Sequence, residues 1–327
     1  MNKKEIAIIA GGDSSEYIIS LKSAQGILSF IDKEKYNLYV VIIRKGDWHV
    51  ELENNRTAPI DKNDFSFVSG EKKIRFDFAY ITIHGTPGEN GRLQGYFDMI
   101  NLPYSCCGVL AASLTFNKFI CNNYLKSMGI RVADSIRLMN KQLPVASEVV
   151  KRLGLPVFVK PNDGGSSCGT TKVKSQEELI PAIQKAFDEG DEVIVESFMS
   201  GIEVTCGCYK IKGKEVVFPL TEVVSKNEFF DFEAKYNADK VEEITPARIS
   251  GDLTNQIQAL TSRVYDLIGA KGIIRVDYII SFEHEIKMLE VNTTPGMTST
   301  SFIPQQVRAA GLDIKEVMTG IIENELN

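Results

Sequence analysis

Ile273-Ile274-Arg275-Val276-Asp277-Tyr278-Ile279-Ile280, followed by Glu290-Val291-Asn292-Thr293-Thr294-Pro295-Gly296, reads as two strands that carry polar side chains where a buried strand would carry apolar ones. Strand side chains alternate, so Arg275 and Asp277 share one face, as do Glu290 and Asn292. If the two runs pair as a hairpin through residues 281–285, all four side chains converge on one spot. Two carboxylates and an amide oxygen are hard ligands, suited to Mg²⁺ with bound phosphates. An arginine beside them stabilises charge that develops in a transition state. Surface ion pairing is the ordinary alternative. It does not explain polar groups on the same face of two otherwise apolar strands.

Towards the N-terminus the pattern changes. Strands are expected at residues 5–10, 37–43 and 77–83, with a helix at 15–31, and such alternation predicts a parallel sheet with helices on its faces. Functional residues should then lie at the carboxyl ends of the strands. Two motifs fall there, Gly11-Gly12-Asp13-Ser14-Ser15-Glu16 and His84-Gly85-Thr86-Pro87-Gly88-Glu89-Asn90-Gly91. Gly11-Gly12 suits an anion site or, equally simply, a tight strand-to-helix turn. The third glycine of a dinucleotide fingerprint is missing, which disfavours a nicotinamide-dependent dehydrogenase. Glu16 and Ser20 share a helix face, where a carboxylate could hold an ammonium group or simply be solvated.

Between these regions the expectations are a helix at 111–128, a strand ending in Lys160-Pro161, a short strand at 170–174 and a helix at 176–189. The turn Asn162-Asp163-Gly164-Gly165-Ser166-Ser167-Cys168-Gly169 has the small residues of a loop that folds over phosphates, beside a lysine that supplies charge. A flexible hairpin turn is the alternative, and the Walker spacing is absent. Further strands are read at 192–198, 203–211, 215–223 and 285–291, with a helix at 253–268. The segment 225–243, containing Phe229-Phe230-Asp231-Phe232-Glu233-Ala234-Lys235-Tyr236, has no clear period. It reads as a lid over a site or as a long surface loop.

Bulk properties narrow the classes. A chain of 327 residues is long for one hydrophobic core. A net charge of −6 with no Lys/Arg block argues against nucleic acid as a partner. No stretch is long enough to cross a bilayer, so no membrane partner is expected, and the apolar run 6–10 is too short for a secretion signal. Six scattered cysteines without a C-x-x-C pair, and only three histidines, argue against zinc and fit reduced thiols in the cytoplasm.

Read together, the motifs resemble the D-alanine–D-alanine ligases of the ATP-grasp superfamily. The similarity runs the length of the chain in order: Gly11-Gly12 to Glu16, His84-Gly85 to Gln94-Gly95, Pro103-Tyr104, Asn117-Lys118, Lys160-Pro161 to Ser167, Asp231 to Tyr236, Arg275 and Asp277, and Glu290 to Thr298. The resemblance implies α/β and α+β architecture. It implies an N-terminal Rossmann-like parallel-sheet domain (1–106), a central ATP-grasp subdomain (107–195) and a C-terminal one (196–327) with its lid at 225–243. It further implies ligation of two D-alanine molecules through an acyl phosphate, for peptidoglycan precursors, by a cytoplasmic homodimer using ATP and two Mg²⁺ ions, or Mn²⁺.

The residue roles follow from the same resemblance. Lys118 and Lys160 contact the nucleotide phosphates, which the loop with Ser166 and Ser167 covers; Lys235 also belongs to the nucleotide set. Glu196 and Glu203 hold adenine and ribose, beside the hinge Ser197, Phe198 and Met199, where the family often has Lys-Trp. Asp277, Glu290 and Asn292 bind the metal ions. Glu16 binds the first substrate's ammonium, with His84 near its carboxylate. Ser301, the Phe302 backbone and Lys235 hold the second carboxylate, and Arg275 with the Gly296 N–H stabilises the oxyanion. Tyr236, linked to Glu16 and Ser166, accompanies dipeptide formation in the family and favours D-alanine over D-lactate as second substrate. D-Serine remains a competing acceptor. An inactive nucleotide-binding relative would be expected to lack Arg275 or a metal ligand, and none is missing.

Overall fold

Ile6, Ala7, Ile8, Ile9 and Ala10 are all fully buried, because the strand they form has both faces covered. A computed structural model describes residues 3–165, 168–225 and 241–326. In it the strand Lys4–Gly11 lies between Tyr36–Arg44 and Phe78–Ile81, parallel to both. Asp47–Glu51 and Thr57–Pro59 extend the sheet antiparallel. Alternate residues serve different cores. Ile6, Ile8 and Ala10 pack with Ala24 and Ile27 of the helix Tyr17–Phe30 and with Met318, Ile321 and Ile322 of the C-terminal helix Ile314–Leu326. Ala7 and Ile9 face Phe65, Phe67 and Phe97 instead. The last helix of the chain therefore closes over the first sheet.

A second, wholly antiparallel sheet has the order Thr171–Val173, Val157–Pro161, Glu192–Ser197, Ser135–Met139. The helices Ala146–Leu153 and Gln176–Glu189 cover it with Val149, Leu179 and Ile183. The third sheet runs Val241–Ile244, Thr221–Ser225, Ile202–Ile211, Ile273–Ile280, Ile286–Asn292, with Lys214–Val217 also paired to Ile202–Ile211. One face is apolar: Ile274, Val276, Tyr278 and Ile280 pack with Ile257 and Val264 of the helix Gly251–Leu267.

Several expectations change. The helix expected at 111–128 is two, Val109–Phe116 and Lys118–Ser127, broken where Asn117 turns extended (φ −89°, ψ 100°). Its side chain accepts a hydrogen bond from the Ile120 N–H and caps the second helix. Apolar spacing continues through the break, so periodicity did not reveal it. The strand expected at 215–223 is likewise two, separated where Phe218 and Leu220 turn inward. Of the segment 225–243, residues 241–243 belong to the strand Val241–Ile244, and residues 226–240 lie outside the described residues. The hairpin Ser66–Ser69/Lys72–Arg75, the strand Ser135–Met139 and the helix Ala146–Leu153 were not anticipated, being too short to show a clear period.

Candidate active site

The hairpin register brings the opening quartet together. Arg275 pairs with Asn292 and Asp277 with Glu290 across the two strands, and a register shift follows at Asp277/Tyr278. Arg275 grips Asp277 with two bonds, Nε to Oδ1 and Nη2 to Oδ2, both 2.8 Å. Thr205 Oγ1 donates to Asp277 Oδ1 at 2.5 Å and Asn292 Nδ2 to Oδ2 at 3.1 Å. Burial works against the Arg275 charge, but Asp277 and Glu290 outweigh it, so the guanidinium is held even more firmly protonated than usual. Its plane also lies over the Phe302 ring, 5.2 Å from the centroid.

Lys160 ends its strand against Glu196, Nζ to carboxylate 2.6 Å, and both are nearly buried. Asn122 Nδ2 donates to the same Glu196 at 3.0 Å. Burial lowers the Lys160 pKa, yet Glu196 and Glu290 together leave it above its ordinary value. Lys118 opens its helix and donates to Gly164 O at 2.6 Å. Asn162 fixes that junction, accepting from the Lys118 N–H at 3.0 Å and the Phe119 N–H at 2.9 Å. Phe198 lies 4.1 Å beneath Lys172 Nζ, so a cation from the edge strand Thr171–Val173 sits on the hinge aromatic.

On the N-terminal side, Gly11 and Gly12 take positive φ (108° and 94°), and Gly12 N–H donates to Ile43 O at 2.7 Å. Ser20 does not share in a ligand site with Glu16; its hydroxyl accepts the Gly11 N–H at 2.9 Å and pins the helix to the strand. Glu16 is buried, and a Cβ on Gly165 would lie 2.6 Å from Glu16 Oε2, so the glycine loop rests directly on this carboxylate. His84 is buried with Nε2 3.3 Å from Ser23 Oγ, and burial pushes its pKa down. Ser301 caps the helix Phe302–Ala309, its hydroxyl 2.8 Å from Thr298 Oγ1 and close to Gly296.

Two adjoining cavities of about 810 and about 790 Å³ result. The first is lined by Phe158, Lys160, Glu196, Phe198, Met199 and Glu203. The second is lined by His84, Glu89, Asn292, Gly296 and Ser301. Glu16, Lys118, Gly165, Arg275, Glu290 and Phe302 border both. Ser166, Ser167, Lys235 and Tyr236 lie outside the described residues. The motif His84–Gly91 also contains Glu89, for which the sequence suggests no role. Burial, with the nearby charge of Glu16, raises its pKa to about 8, although it accepts the Gly85 N–H at 2.6 Å. Phe116 and Phe158, also lining residues, carried no sequence signal because a single aromatic looks like core.

The donor set at Asp277, Glu290 and Asn292 is all oxygen. Among the described residues no three carboxylates, histidines or cysteines gather as a complete metal cage. Two carboxylates and one amide fit Mg²⁺, which keeps positions for phosphate oxygens and water. The five remaining cysteines besides Cys168 are buried, and Cys106 and Cys206 are raised to about 12 by burial, inert as nucleophiles.

The chain is similar to known proteins over its whole length. A family model described as D-ala D-ala ligase N-terminus matches residues 5–107, and one described as D-ala D-ala ligase C-terminus matches 124–323. A D-alanine–D-alanine ligase of Parabacteroides distasonis is 67% identical, covering 99% of this chain and 98% of that protein. Among solved structures, the VanG D-Ala:D-Ser ligase of Enterococcus faecalis is 30% identical with a TM-score of 0.88, covering 99% of this chain and 100% of the other. The D-alanyl-alanine synthetase A of Vibrio cholerae is 28% identical with a TM-score of 0.89, covering 100% and 99%.

Proposed function

Because the chain belongs to the D-alanine–D-alanine ligase family and has the ATP-grasp fold, we propose that its two cavities hold ATP and two D-alanine molecules, meeting at the wall they share. That shared wall, with Lys118, Arg275 and Glu290 open to both sides, is the observation that carries the reading. The enzyme is a ligase, forming D-alanyl-D-alanine for peptidoglycan precursors with ADP and phosphate as the other products.

A carboxylate is a poor electrophile. In the first step one of its oxygens attacks the γ-phosphorus, the bond to the ADP oxygen breaks, and an acyl phosphate forms. Lys118 and Lys160 reach the phosphates from two directions, and the Gly164–Gly165 backbone with Ser166 and Ser167 covers them. Glu196, Glu203 and the hinge Ser197, Phe198 and Met199 hold adenine and ribose, and Lys172 gives that aromatic a cation. Glu16 takes the first ammonium and His84 lies near its carboxylate. Asp277, Glu290 and Asn292 would hold Mg²⁺, which when bound offsets phosphate charge.

In the second step the other D-alanine's nitrogen attacks the acyl carbon, loses a proton and expels phosphate. Arg275 and the Gly296 N–H stabilise the tetrahedral oxyanion. Ser301, the Phe302 N–H at a helix start and Lys235 bind the incoming carboxylate. Tyr236, in a triad with Glu16 and Ser166, selects an amine over a hydroxyl nucleophile, and the segment 225–243 excludes water as a lid. The residue ranges 1–106, 107–195 and 196–327 act as the three domains. ATP as phosphoryl donor supports a cytoplasmic setting.

The test is incubation with ATP, Mg²⁺ and D-alanine, with phosphate and dipeptide measured together. L-Alanine is the control, and D-lactate and D-serine the competitors. Equal amounts of phosphate and D-alanyl-D-alanine, with no L-alanine product, are expected. A preference for D-lactate in the product would overturn the role given to Tyr236, and a preference for D-serine would overturn D-alanine as the second substrate.

A further inference from the structure

Ser23 lies on the buried side of the helix Tyr17–Phe30, only 1% exposed, and its hydroxyl sits between His84 and the loop backbone at Met297. His84 Nε2 is 3.3 Å from Ser23 Oγ, and the Met297 N–H donates to that same oxygen at 3.4 Å. Burial pushes the His84 pKa down, and the Thr294 backbone also hydrogen-bonds the ring. In the tautomer whose Nδ1 carries the proton, Nε2 accepts the Ser23 proton. The chain Met297 N–H to Ser23 O–H to His84 then runs in one direction and uses each group once.

A second contact acts on the same peptide. A Cβ built on Gly26, one helical turn beyond Ser23, would lie 1.9 Å from Met297 O. The loop backbone thus rests directly on the helix, and Met297 is buried among Ala24 and Ile27. Both contacts bear on the residue next to Gly296.

We propose that Ser23 is a positioning residue for the second half-reaction, with Gly26 as the surface that lets the loop reach it. This rests on the assignment of the two cavities given above. By holding the Met297 N–H and the His84 ring at once, Ser23 fixes the Gly296 N–H relative to the carboxylate of the first substrate. Of the groups given to the first half-reaction Ser23 touches His84, whereas Lys118 donates to Gly164 O and Lys160 pairs with Glu196. A displaced loop therefore still permits the acyl phosphate to form. Its capture by the second amine slows, because the oxyanion donor and Ser301 are misplaced, and water intercepts more of it.

The test measures phosphate and dipeptide together for Ser23→Ala, Ser23→Thr and Gly26→Ala, with Ser20→Ala as a purely structural comparison. For Ser23→Ala the KM of the second D-alanine should rise about tenfold, the worth of one lost buried hydrogen bond. Phosphate released should exceed dipeptide formed, while the KM for ATP stays within about twofold. Ser23→Thr, which keeps the hydroxyl, should restore equal amounts, and Gly26→Ala should shift the ratio as Ser23→Ala does. Ser20→Ala should lower stability and leave the ratio at one. Equal phosphate and dipeptide from both Ser23→Ala and Gly26→Ala would overturn the proposal. A wild-type protein that makes no dipeptide at all would overturn the cavity assignment itself, a different result from failure of the variants alone.

Discussion

The hairpin Ile273–Ile280/Ile286–Asn292 and the loop 293–301 that continues from it are neighbours in the chain and are built on different principles. In the hairpin a ladder sets every position, so Arg275, Asp277, Glu290 and Asn292 meet because strand residues alternate and the register is fixed. In the loop no local rule sets the path. It is held by Ser23, Gly26 and His84, far away in sequence. The hairpin presents side chains, and the loop presents backbone N–H groups. A rigid scaffold thus carries the charge, while a seated loop carries the geometry.

Arg275→Ala tests the hairpin half most sharply. Turnover to dipeptide should fall by about 10³-fold, the scale of a lost transition-state donor. Thr205 and Asn292 still hydrogen-bond Asp277, so the fold is kept and circular dichroism should be unchanged. Arg275→Lys should recover little, because a point ammonium cannot reproduce the two-bond fork on Asp277. Activity near wild type in Arg275→Ala would erase the distinction between the two regions.

The same contrast explains what could be read from residues alone. The quartet was legible because alternation and pairing are local rules, and so was the parallel arrangement around residues 5–10. The loop path was not, because Ser23 looks like any helix serine and Gly26 like a weak point in a helix until Met297 lies against them. Glu89 was missed for a related reason: its burial and its nearness to Glu16 arise from chain segments that sequence order separates. The roles proposed for Ser301, Phe302 and Gly296 rest on family resemblance, not periodicity.

Glu89 offers a test on the loop side that depends on burial rather than on a ladder. Its carboxyl titrates at about 8 in the folded chain, raised first by desolvation and then by Glu16, against about 4.3 when unfolded. Between those values the folded state holds the proton more tightly than the unfolded state. Stability therefore falls as pH climbs through this window, and the full penalty stands above pH 8. Glu89→Gln is neutral throughout and removes the penalty. In ligand-free thermal melts the variant should gain on the wild type steadily from mildly acidic to mildly alkaline pH. Parallel melting curves across that range would mean that the fold solvates this carboxylate, contrary to its place in the cavity floor.

The smallest effect is expected at Asn117, and it isolates how a break in a helix serves the nucleotide side. Asn117 caps Lys118–Ser127 through the Ile120 N–H, and its amide Nδ2 is 3.4 Å from Glu192. Asn117→Ala should cost about 1 kcal/mol of stability, read by denaturant unfolding. Lys118 is the first residue of that helix and reaches Gly164 O from there. A frayed first turn should therefore raise the KM for ATP modestly while leaving the phosphate-to-dipeptide ratio at one. That pattern is the reverse of the one expected from Ser23→Ala. Should Asn117→Ala instead release excess phosphate, the nucleotide wall and the seated loop would be one mechanical unit, and the division drawn between them would fall.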